Sequence, residues 1–155
     1  MIRIRRRKPA LDDKRIISLI KNQLYTLTLK AFPDLKFDDK QVKKRLKDGV
    51  TFVVVKRPGP AKGFITFVVK DGVLYLDMLA VHPSLQGKGW GTKLMRRAEN
   101  YGIRRGCKYS TLYVDELNVR AQTLYKRLGY QEYRFEDTIK CYLYFKELPA
   151  KKKRS

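Results

Sequence analysis

The sequence contains few of the residues that build metal sites or disulfide frameworks. Its 155 residues include one histidine, His82, and two cysteines, Cys107 and Cys141. The cysteines lie far apart and lack the paired spacing of a zinc site, so no metal centre is expected. A disulfide between them stays open from the sequence alone. Two reduced, partly buried thiols are the simpler interpretation in a chain without an export signal.

Long apolar runs are also missing. No segment approaches the ~20 apolar residues that a bilayer-spanning helix needs. The charged start, MIRIRRRKPA, is not followed by an apolar segment, so no secretory signal is visible. We therefore expect a soluble, cytoplasmic protein that does not enter a membrane. The length favours one domain, which we place at residues 1–149, followed by a basic tail at residues 150–155 that is expected to be disordered.

Negative charge is scarce. The chain has 15 Asp and Glu against 36 Lys and Arg, a formal net charge of +21. Without the nine cations of the two termini, 27 cations still face 15 acids, so the excess is not confined to the ends. Such a field attracts nucleic acid, membrane surfaces, acidic proteins or a phosphate-bearing cofactor, and charge alone does not separate these partners.

Hydrophobic periodicity predicts the element order β-α-α-β-β-β-α-β-α-β-β. Strands are predicted at about residues 2–7, 50–57, 64–70, 73–81, 108–114, 130–135 and 138–148, and helices at about 12–30, 35–48, 89–105 and 117–128. Asp71-Gly72 between two of the strands is the strongest hairpin signal in the chain. This pattern belongs to the α/β (α+β) class, with a mixed central sheet.

Glycine concentrates at one junction between a strand and a helix. Gly87, Gly89 and Gly91 lie within VHPSLQGKGWGTKLM, residues 81–95. A glycine turn that opens a helix exposes backbone N–H groups and a positive helix end, which bind anions. Two nucleotide loops do not fit. No glycine precedes Lys-Ser or Lys-Thr as a Walker A loop requires, and G-x-G-x-G is one residue short of the dinucleotide fingerprint.

Two motifs carry a resemblance to a known family. Residues 86–91, QGKGWG, match Q/R-x-x-G-x-G/A, the pyrophosphate-binding signature of the GCN5-related N-acetyltransferases (GNAT). Residues 114–130, VDELNVRAQTLYKRLGY, are similar to that family's V-x-x-x-N-x-x-A-x-x-L-Y-x-x-x-G-F/Y stretch. The motifs cover about residues 73–130, and the element order resembles the family over nearly the whole chain. The resemblance implies a GNAT fold, with about seven strands flanked by about four helices.

The resemblance also implies a reaction. Members transfer the acetyl group of acetyl-CoA directly to a primary amine of a small molecule, peptide or protein, without a metal. The implied acetyl-CoA-binding residues are Leu79, Ala80, Val81, Gln86, Gly87, Lys88, Gly89, Trp90, Gly91, Thr92, Asn118 and Tyr125. A bulge near the end of the fourth strand is expected to free the N–H of Leu79, which would polarise the thioester carbonyl.

Two members of this set have competing interpretations. Lys88 either meets a phosphate or is one surface lysine among many. Asn118 contacts the pantetheine arm, caps its own helix, or does both.

The resemblance assigns Tyr125 as the general acid. A phenol with a pKa of ~10 can supply the proton that a leaving thiolate of pKa ~8.5 needs. The competing interpretation is a core aromatic residue. Asp77, the only acid of the fourth strand, is the expected catalytic base or a surface aspartate, and Asp115 and Glu116 are further candidates. Tyr113 stands where members that acetylate ribosomal-protein N-termini often have glutamate, which counts against that substrate.

The acceptor amine is expected between residues 28–38 and residues 134–138, by resemblance. These segments, together with Asp39 directly after the first, contain Asp34, Asp38, Glu136 and Asp137, in a chain that has few acids. We therefore expect a cationic acceptor, such as a polyamine, an aminoglycoside, a lysine or a peptide N-terminus. Helix capping explains Asp38 and Asp39 equally well.

The positive charge motivates a second class of function, a basic nucleic-acid-associated protein that keeps the GNAT fold with or without catalysis. Neither a recognition helix nor an interleaved aromatic and basic platform is recognisable in the sequence, so the enzyme ranks first. The two functions are compatible, because basic surfaces can hold an acetyltransferase near nucleic acid. The sequence leaves monomer and homodimer equally open.

Overall fold

A seven-stranded sheet runs through the centre of the protein in the computed structural model, which describes residues 1–152. The strands are β1 (Ile2–Arg6), β2 (Val50–Lys56), β3 (Ala61–Lys70), β4 (Val73–Val81), β5 (Tyr109–Asp115), β6 (Gln131–Glu136) and β7 (Cys141–Glu147). Their order across the sheet is β1-β2-β3-β4-β5-β7-β6. Only β4 and β5 run parallel among these neighbours. The sheet is therefore mixed, as the sequence predicts.

The helices are α1 (Pro9–Leu19), α2 (Thr26–Ala31), α3 (Asp39–Asp48), α4 (Trp90–Arg104) and α5 (Val119–Arg127). A π-helix, Ile20–Tyr25, joins α1 to α2, so these three segments form the single helix that the sequence predicts at this place. The predicted order of strands and helices is confirmed. Residues 153–155 of the predicted basic tail lie outside the described residues.

The first helix begins earlier than the sequence predicts. It starts at Pro9, whose fixed φ suits a first helical turn, and not at the expected cap of Asp12 and Asp13. Asp12 is buried inside the helix, where it accepts hydrogen bonds from the Arg5 guanidinium and from the Lys8 N–H. Asp12, which the sequence predicts to be a helix cap, instead forms a tertiary ion pair with Arg5.

Both faces of the sheet are buried. On β2, Phe52 and Val54 join the core beneath α4 and α5, while Val53 and Val55 join the core beneath α1 and α3. A strand with two buried faces needs a continuous apolar run, which is why β2 shows no polar alternation. The helices therefore hold the sheet rigidly from both sides.

β4 and β5 separate halfway along their length. They pair only where Val73–Leu76 faces Tyr109–Leu112. On the other side of β4 the register shifts, because Thr66 faces Met78 whereas Phe67 faces Leu76. Asp77 is the extra residue, and such a bulge bends its strand. The bend leaves an open cleft between the C-terminal halves of β4 and β5.

Two further expectations concern the thiols and the membrane. Cys107 and Cys141 are both free thiols. Among residues 1–152, every helix is too short or too polar to cross a bilayer.

Candidate active site

Two cavities meet at the cleft between β4 and β5. The smaller cavity has a volume of about 350 Å³ and the larger cavity a volume of about 820 Å³. Leu24, Leu27, Leu79 and Asn118 line both cavities. A group held beside Leu79 can therefore be reached from either side.

The π-helix forms a wall that the two cavities share. Asn22 and Gln23 line the larger cavity, Ile20 and Tyr25 line the smaller one, and Leu24 lines both. A π-turn carries an extra residue per turn and is frequent at functional sites. The wall continues into α2, where Thr26 lines the larger cavity, Thr28 lines the smaller one and Leu27 lines both.

The glycine loop lines the larger cavity at the start of α4. Gly87 and Gly89 have φ angles of 75° and 86°, and an added Cβ at either would meet no atom within 4 Å. The left-handed backbone, not crowding, therefore requires glycine at both positions. Gly89 is the N-cap of α4 and has no side chain to bind the first N–H groups of the helix. These free donors and the helix dipole suit an anion.

The backbone of Leu79 faces the cleft. The His82 N–H donates to the Lys62 carbonyl at 2.7 Å, which fixes the alternation of hydrogen bonds along β4. In an antiparallel pair, the backbone of every second residue bonds to the partner strand. The Ala80 N–H therefore points toward β3, and the Leu79 N–H points away from it. Pairing with β5 ends at Leu76, so among the strands of residues 1–152 none receives the Leu79 N–H. A backbone donor therefore lies where the two cavities meet.

Gln86 connects three walls of the larger cavity. Its Nε2 donates to the Val81 carbonyl at 2.8 Å and to Gln23 Oε1 at 3.2 Å. Its Oε1 accepts a hydrogen bond from the Arg120 guanidinium. The glycine loop is thereby tied to β4, to the π-helix and to α5.

The structure gathers most of the residues that the resemblance assigns to acetyl-CoA. Those that line the larger cavity are Leu79, Ala80, Val81, Gln86, Gly87, Gly89, Trp90, Gly91, Thr92 and Asn118. Lys88 lies outside both linings and its Nζ donates to the Ser84 carbonyl at 3.2 Å, which agrees with the interpretation of Lys88 as a surface lysine. Arg120 and Arg127 supply the cationic side chains of this cavity instead. Sequence reasoning missed them, although both belong to the helix of the second motif.

Tyr125 lines the smaller cavity and packs into the core. Its ring lies 6.0 Å from the Tyr130 ring and 6.4 Å from the Tyr144 ring, between centroids. Burial raises the pKa of Tyr125 well above its ordinary value, so the phenol stays protonated at neutral pH. Asn118 caps α5, where its Oδ1 accepts the Ala121 N–H at 3.3 Å. It also lines both cavities, so the two interpretations of Asn118 are compatible.

Asp77 lines the smaller cavity in a two-point ion pair. Arg45 Nε lies 3.0 Å from Asp77 Oδ2, and Arg45 Nη2 lies 2.5 Å from Asp77 Oδ1. Asp38 and Asp115 also line this cavity, and each already accepts one backbone N–H. Three carboxylates thus face the cavity, each with a different amount of free hydrogen-bonding capacity.

The other acids expected near the acceptor lie elsewhere. Asp34, Asp39, Glu136 and Asp137 do not line the smaller cavity. Asp39 lies 3.9 Å from Lys21 Nζ, Glu136 pairs with Arg134, and Asp137 pairs with Lys140. Of the five acids expected to receive the acceptor, Asp38 alone lines the smaller cavity, where it is joined by the candidate bases Asp77 and Asp115 and by the cations Lys36 and Arg45.

Comparison with known proteins agrees with this geometry. Residues 17–130 match the model of the acetyltransferase (GNAT) family. The chain is 36% identical over 59 residues to the thialysine N-epsilon-acetyltransferase of Bos taurus, covering 38% of this chain and 35% of that protein. It is 33% identical over 85 residues to the streptothricin acetyltransferase of Streptomyces lavendulae, covering 54% of this chain and 45% of that protein. The matches thus span less than half the length of these relatives.

The fold also matches a solved structure that was determined with coenzyme A. The PaiA N-acetyltransferase of Thermoplasma acidophilum superposes with a TM-score of 0.75 at 16% identity, covering 95% of this chain and 99% of that chain. At this identity the likeness establishes the shared fold. The seven-stranded mixed sheet and flanking helices are those of the matched family.

Proposed function

Because this chain belongs to the GNAT family of acetyltransferases, we propose that it transfers the acetyl group of acetyl-CoA directly to a primary amine. The observation that supports this most strongly is the position of the unpaired Leu79 N–H, at the junction of two cavities. A donor at that point can polarise a thioester carbonyl delivered from one cavity, while an amine approaches from the other.

The larger cavity fits a CoA ester. The N–H groups at the start of α4 would bind the pyrophosphate, with close approach permitted by Gly87 and Gly89. Arg120 and Arg127 would balance the remaining phosphate charge. The open edge of β4 beyond Leu76 offers backbone groups to the amide-containing arm, much as an added strand would.

The smaller cavity fits an amine with an apolar stem. Leu24, Leu35 and Phe37 supply the apolar wall. Asp38 and Asp115 supply negative charge, and neither forms a side-chain ion pair within residues 1–152. An ammonium group would be attracted to these carboxylates, and its carbon chain would pack on the wall. A lysine side chain, a peptide N-terminus or a small diamine matches this chemistry.

The chemistry needs one base and one acid. The amine must lose a proton, and Asp77 is the proposed base, although Arg45 occupies one direction on each of its oxygens. The amine nitrogen then forms a bond to the acetyl carbon as the carbon–sulfur bond breaks. Tyr125 is proposed to give its proton to the departing sulfur. Burial that raises the pKa of Tyr125 also disfavours a thiolate in the same cavity, so proton transfer remains feasible.

The direct test is a panel of amines assayed for acetyl-CoA-dependent release of the CoA thiol. We expect turnover with lysine, short peptides and diamines, and little with taurine or glutamate, whose anionic groups would face Asp38 and Asp115. Mass spectrometry should find one added acetyl group on the amine. Acetylation of the anionic amines alone would contradict the proposed acceptor class, and no turnover with any amine, despite acetyl-CoA binding, would contradict the proposed reaction.

A further inference from the structure

We propose that the exposed face of α4, together with neighbouring Arg6 and Arg105, binds the phosphate backbone of a nucleic-acid duplex. We call this the α4 basic surface, and its cations are Lys93, Arg96, Arg97, Arg104, Arg105 and Arg6. It lies outside both cavities of the candidate active site, so this proposal stands or fails independently of the proposed acetyl transfer.

Helical geometry places most of these cations in one row. With 3.6 residues per turn, Lys93, Arg96, Arg97 and Arg104 fall within an arc of about 100° on α4. All four are exposed, whereas Leu94, Met95 and Ala98 of the same helix are buried. The row extends about 16 Å along the helix axis, at a rise of about 1.5 Å per residue. It forms a linear array of positive charge on a rigid element.

The cations of this surface lack acidic partners. Within residues 1–152, no carboxylate oxygen lies within 4.0 Å of a charged nitrogen of any of the six. The single acid of α4, Glu99, is buried and pairs with Lys146 at 3.0 Å. In contrast, Arg5 and Arg7 pair with acids of α1 at 2.7 and 2.6 Å. Within residues 1–152, the exposed cations of this surface are therefore not neutralised by neighbouring carboxylates.

Aromatic rings hold several of these guanidinium groups in position. Arg97 and Arg6 both approach the Phe52 ring, at 4.8 and 5.8 Å from its centroid. Arg105 lies 3.4 Å from the centroid of Tyr101. Two like charges gathered at one ring repel each other, and a bound anion would relieve that repulsion. Stacked arginines also lose less side-chain freedom when they bind a phosphate.

The composition of the surface favours nucleic acid over a lipid membrane. The large exposed apolar side chains of the described protein lie on other elements, and none belongs to α4. A membrane-surface helix needs an apolar face to insert, and the apolar face of α4 is buried against the sheet. Five of the six cations are arginine, whose planar fork matches phosphate oxygens. Contacts of this type bind the backbone irrespective of base sequence.

The test compares two triple variants with equal loss of charge. The variant Arg96→Gln/Arg97→Gln/Arg104→Gln alters the α4 basic surface. The control Lys40→Gln/Lys43→Gln/Lys47→Gln removes three exposed cations from α3, on the opposite side of the sheet. Binding to mixed-sequence DNA and RNA duplexes is measured between about 50 and 200 mM salt, a range in which phosphate contacts weaken strongly.

The wild-type protein should bind both duplexes with an affinity that falls steeply with salt. Each lost phosphate contact lowers the slope of log K against log salt by about 0.9, so the α4 variant should lose about 2 to 3 units of slope. The control should keep the wild-type slope. If the α4 variant is poorly folded by circular dichroism, the double variant Arg96→Gln/Arg104→Gln replaces it, with an expected loss of about 2 units.

Three outcomes would contradict the proposal. Equal losses in the α4 and α3 variants would show that net charge, and not this surface, binds the duplex. Tighter binding to phosphatidylserine vesicles than to either duplex, lost in the α4 variant, would assign the surface to lipid. Undetectable duplex binding by the wild-type protein at the lowest salt would show that the α4 basic surface does not bind nucleic-acid duplexes. CoA-thiol release by the α4 variant should match the wild type, which separates this test from that of the enzyme activity.

Discussion

Asp77 and Arg45 are joined by two hydrogen bonds of 2.5 and 3.0 Å across the smaller cavity. Asp77 is the extra residue of the β4 bulge, and Arg45 belongs to α3. The ion pair therefore connects the strand that carries the proposed acyl site to the helix that borders the proposed acceptor site. It orients the carboxylate and also occupies part of its capacity to accept a proton.

The first prediction separates a catalytic Asp77 from one that only holds Arg45. Asp77→Asn should lower kcat/KM for the amine about 100-fold, because general base catalysis contributes at least that much. Arg45→Gln keeps the carboxylate and should cause a much smaller loss. Both variants should lose a similar, small stability, about 1 kcal/mol or less, since the pair is partly exposed. Equal losses of kcat/KM in both single variants and in the double variant would instead make Asp77 a positioning residue.

The second prediction concerns Tyr125. Tyr125→Phe should lower kcat by about 100-fold, because the proton for the departing thiolate is lost, while the KM for acetyl-CoA changes little. The matched control is Tyr130→Phe. The Tyr130 hydroxyl donates to Glu99 at 2.7 Å and lies 2.6 Å from Ser110 Oγ, so its removal should reduce the free energy of unfolding with kcat unchanged. An unaltered kcat in Tyr125→Phe would exclude Tyr125 as the acid.

The third prediction concerns the glycine loop. Gly89→Ala places a Cβ on a residue with φ of 86°, which should cost about 1–2 kcal/mol of stability. It should also raise the KM for acetyl-CoA, because the strained loop would no longer present its N–H groups correctly. Gly72→Ala is the control, since that residue has φ of 77° and equally open surroundings but lies in the β3–β4 turn. A KM that rises equally in both variants would point to general destabilisation.

The fourth prediction concerns pH and stability. Burial opposes ionisation of Asp12, but hydrogen bonds from Arg5 and from the Lys8 N–H outweigh it, and the pKa of Asp12 is lowered in the folded protein. Its stabilising contribution is therefore present above the unfolded pKa of about 3.9 and is lost as pH falls through the folded pKa. Asp12→Asn should cost about 3 kcal/mol near neutral pH. The cost, measured by urea unfolding of both proteins, should shrink below about pH 4.

Asp13→Asn provides the comparison for this measurement. Asp13 pairs with Arg7 at 2.6 Å but keeps 24% of its side chain exposed, against 2% for Asp12. Its replacement should cost about 1 kcal/mol or less. A cost for Asp12→Asn that stays constant down to pH 2 would show that lost packing, not charge, causes the destabilisation.

Local signals predicted the elements of the fold because each depends on neighbours in the chain. Apolar periodicity identified the strands and helices, and the Asp71-Gly72 turn identified the β3–β4 hairpin. The spacing of Gly87, Gly89 and Gly91 predicted an anion-binding loop, and Gly87 and Gly89 have the positive φ angles that favour glycine at such a turn. The start of α1 was misplaced, because the partner of Asp12 is the Arg5 side chain on a separate strand.

The arrangement of charge could likewise be predicted only in part from the sequence. The sequence revealed a net charge of +21 but could not show which cations have partners. Lys88, which local order places beside the loop, turns back to the Ser84 carbonyl, while Arg120 and Arg127 reach the larger cavity from α5. The α4 basic surface could not be predicted either, because the sequence does not show which of its cations have an acidic partner.

The sequence by itself determined the order of the elements, the glycine loop and the family, because these follow from residues close together in the chain. Tertiary structure alone decided where β4 and β5 separate, that Asp38, Asp77 and Asp115 border one cavity together, and that Arg120 and Arg127 line the other. The physical reason is that strand registers, ion pairs and cavities arise between segments far apart in sequence. Their geometry is fixed only when the sheet and its helices pack together.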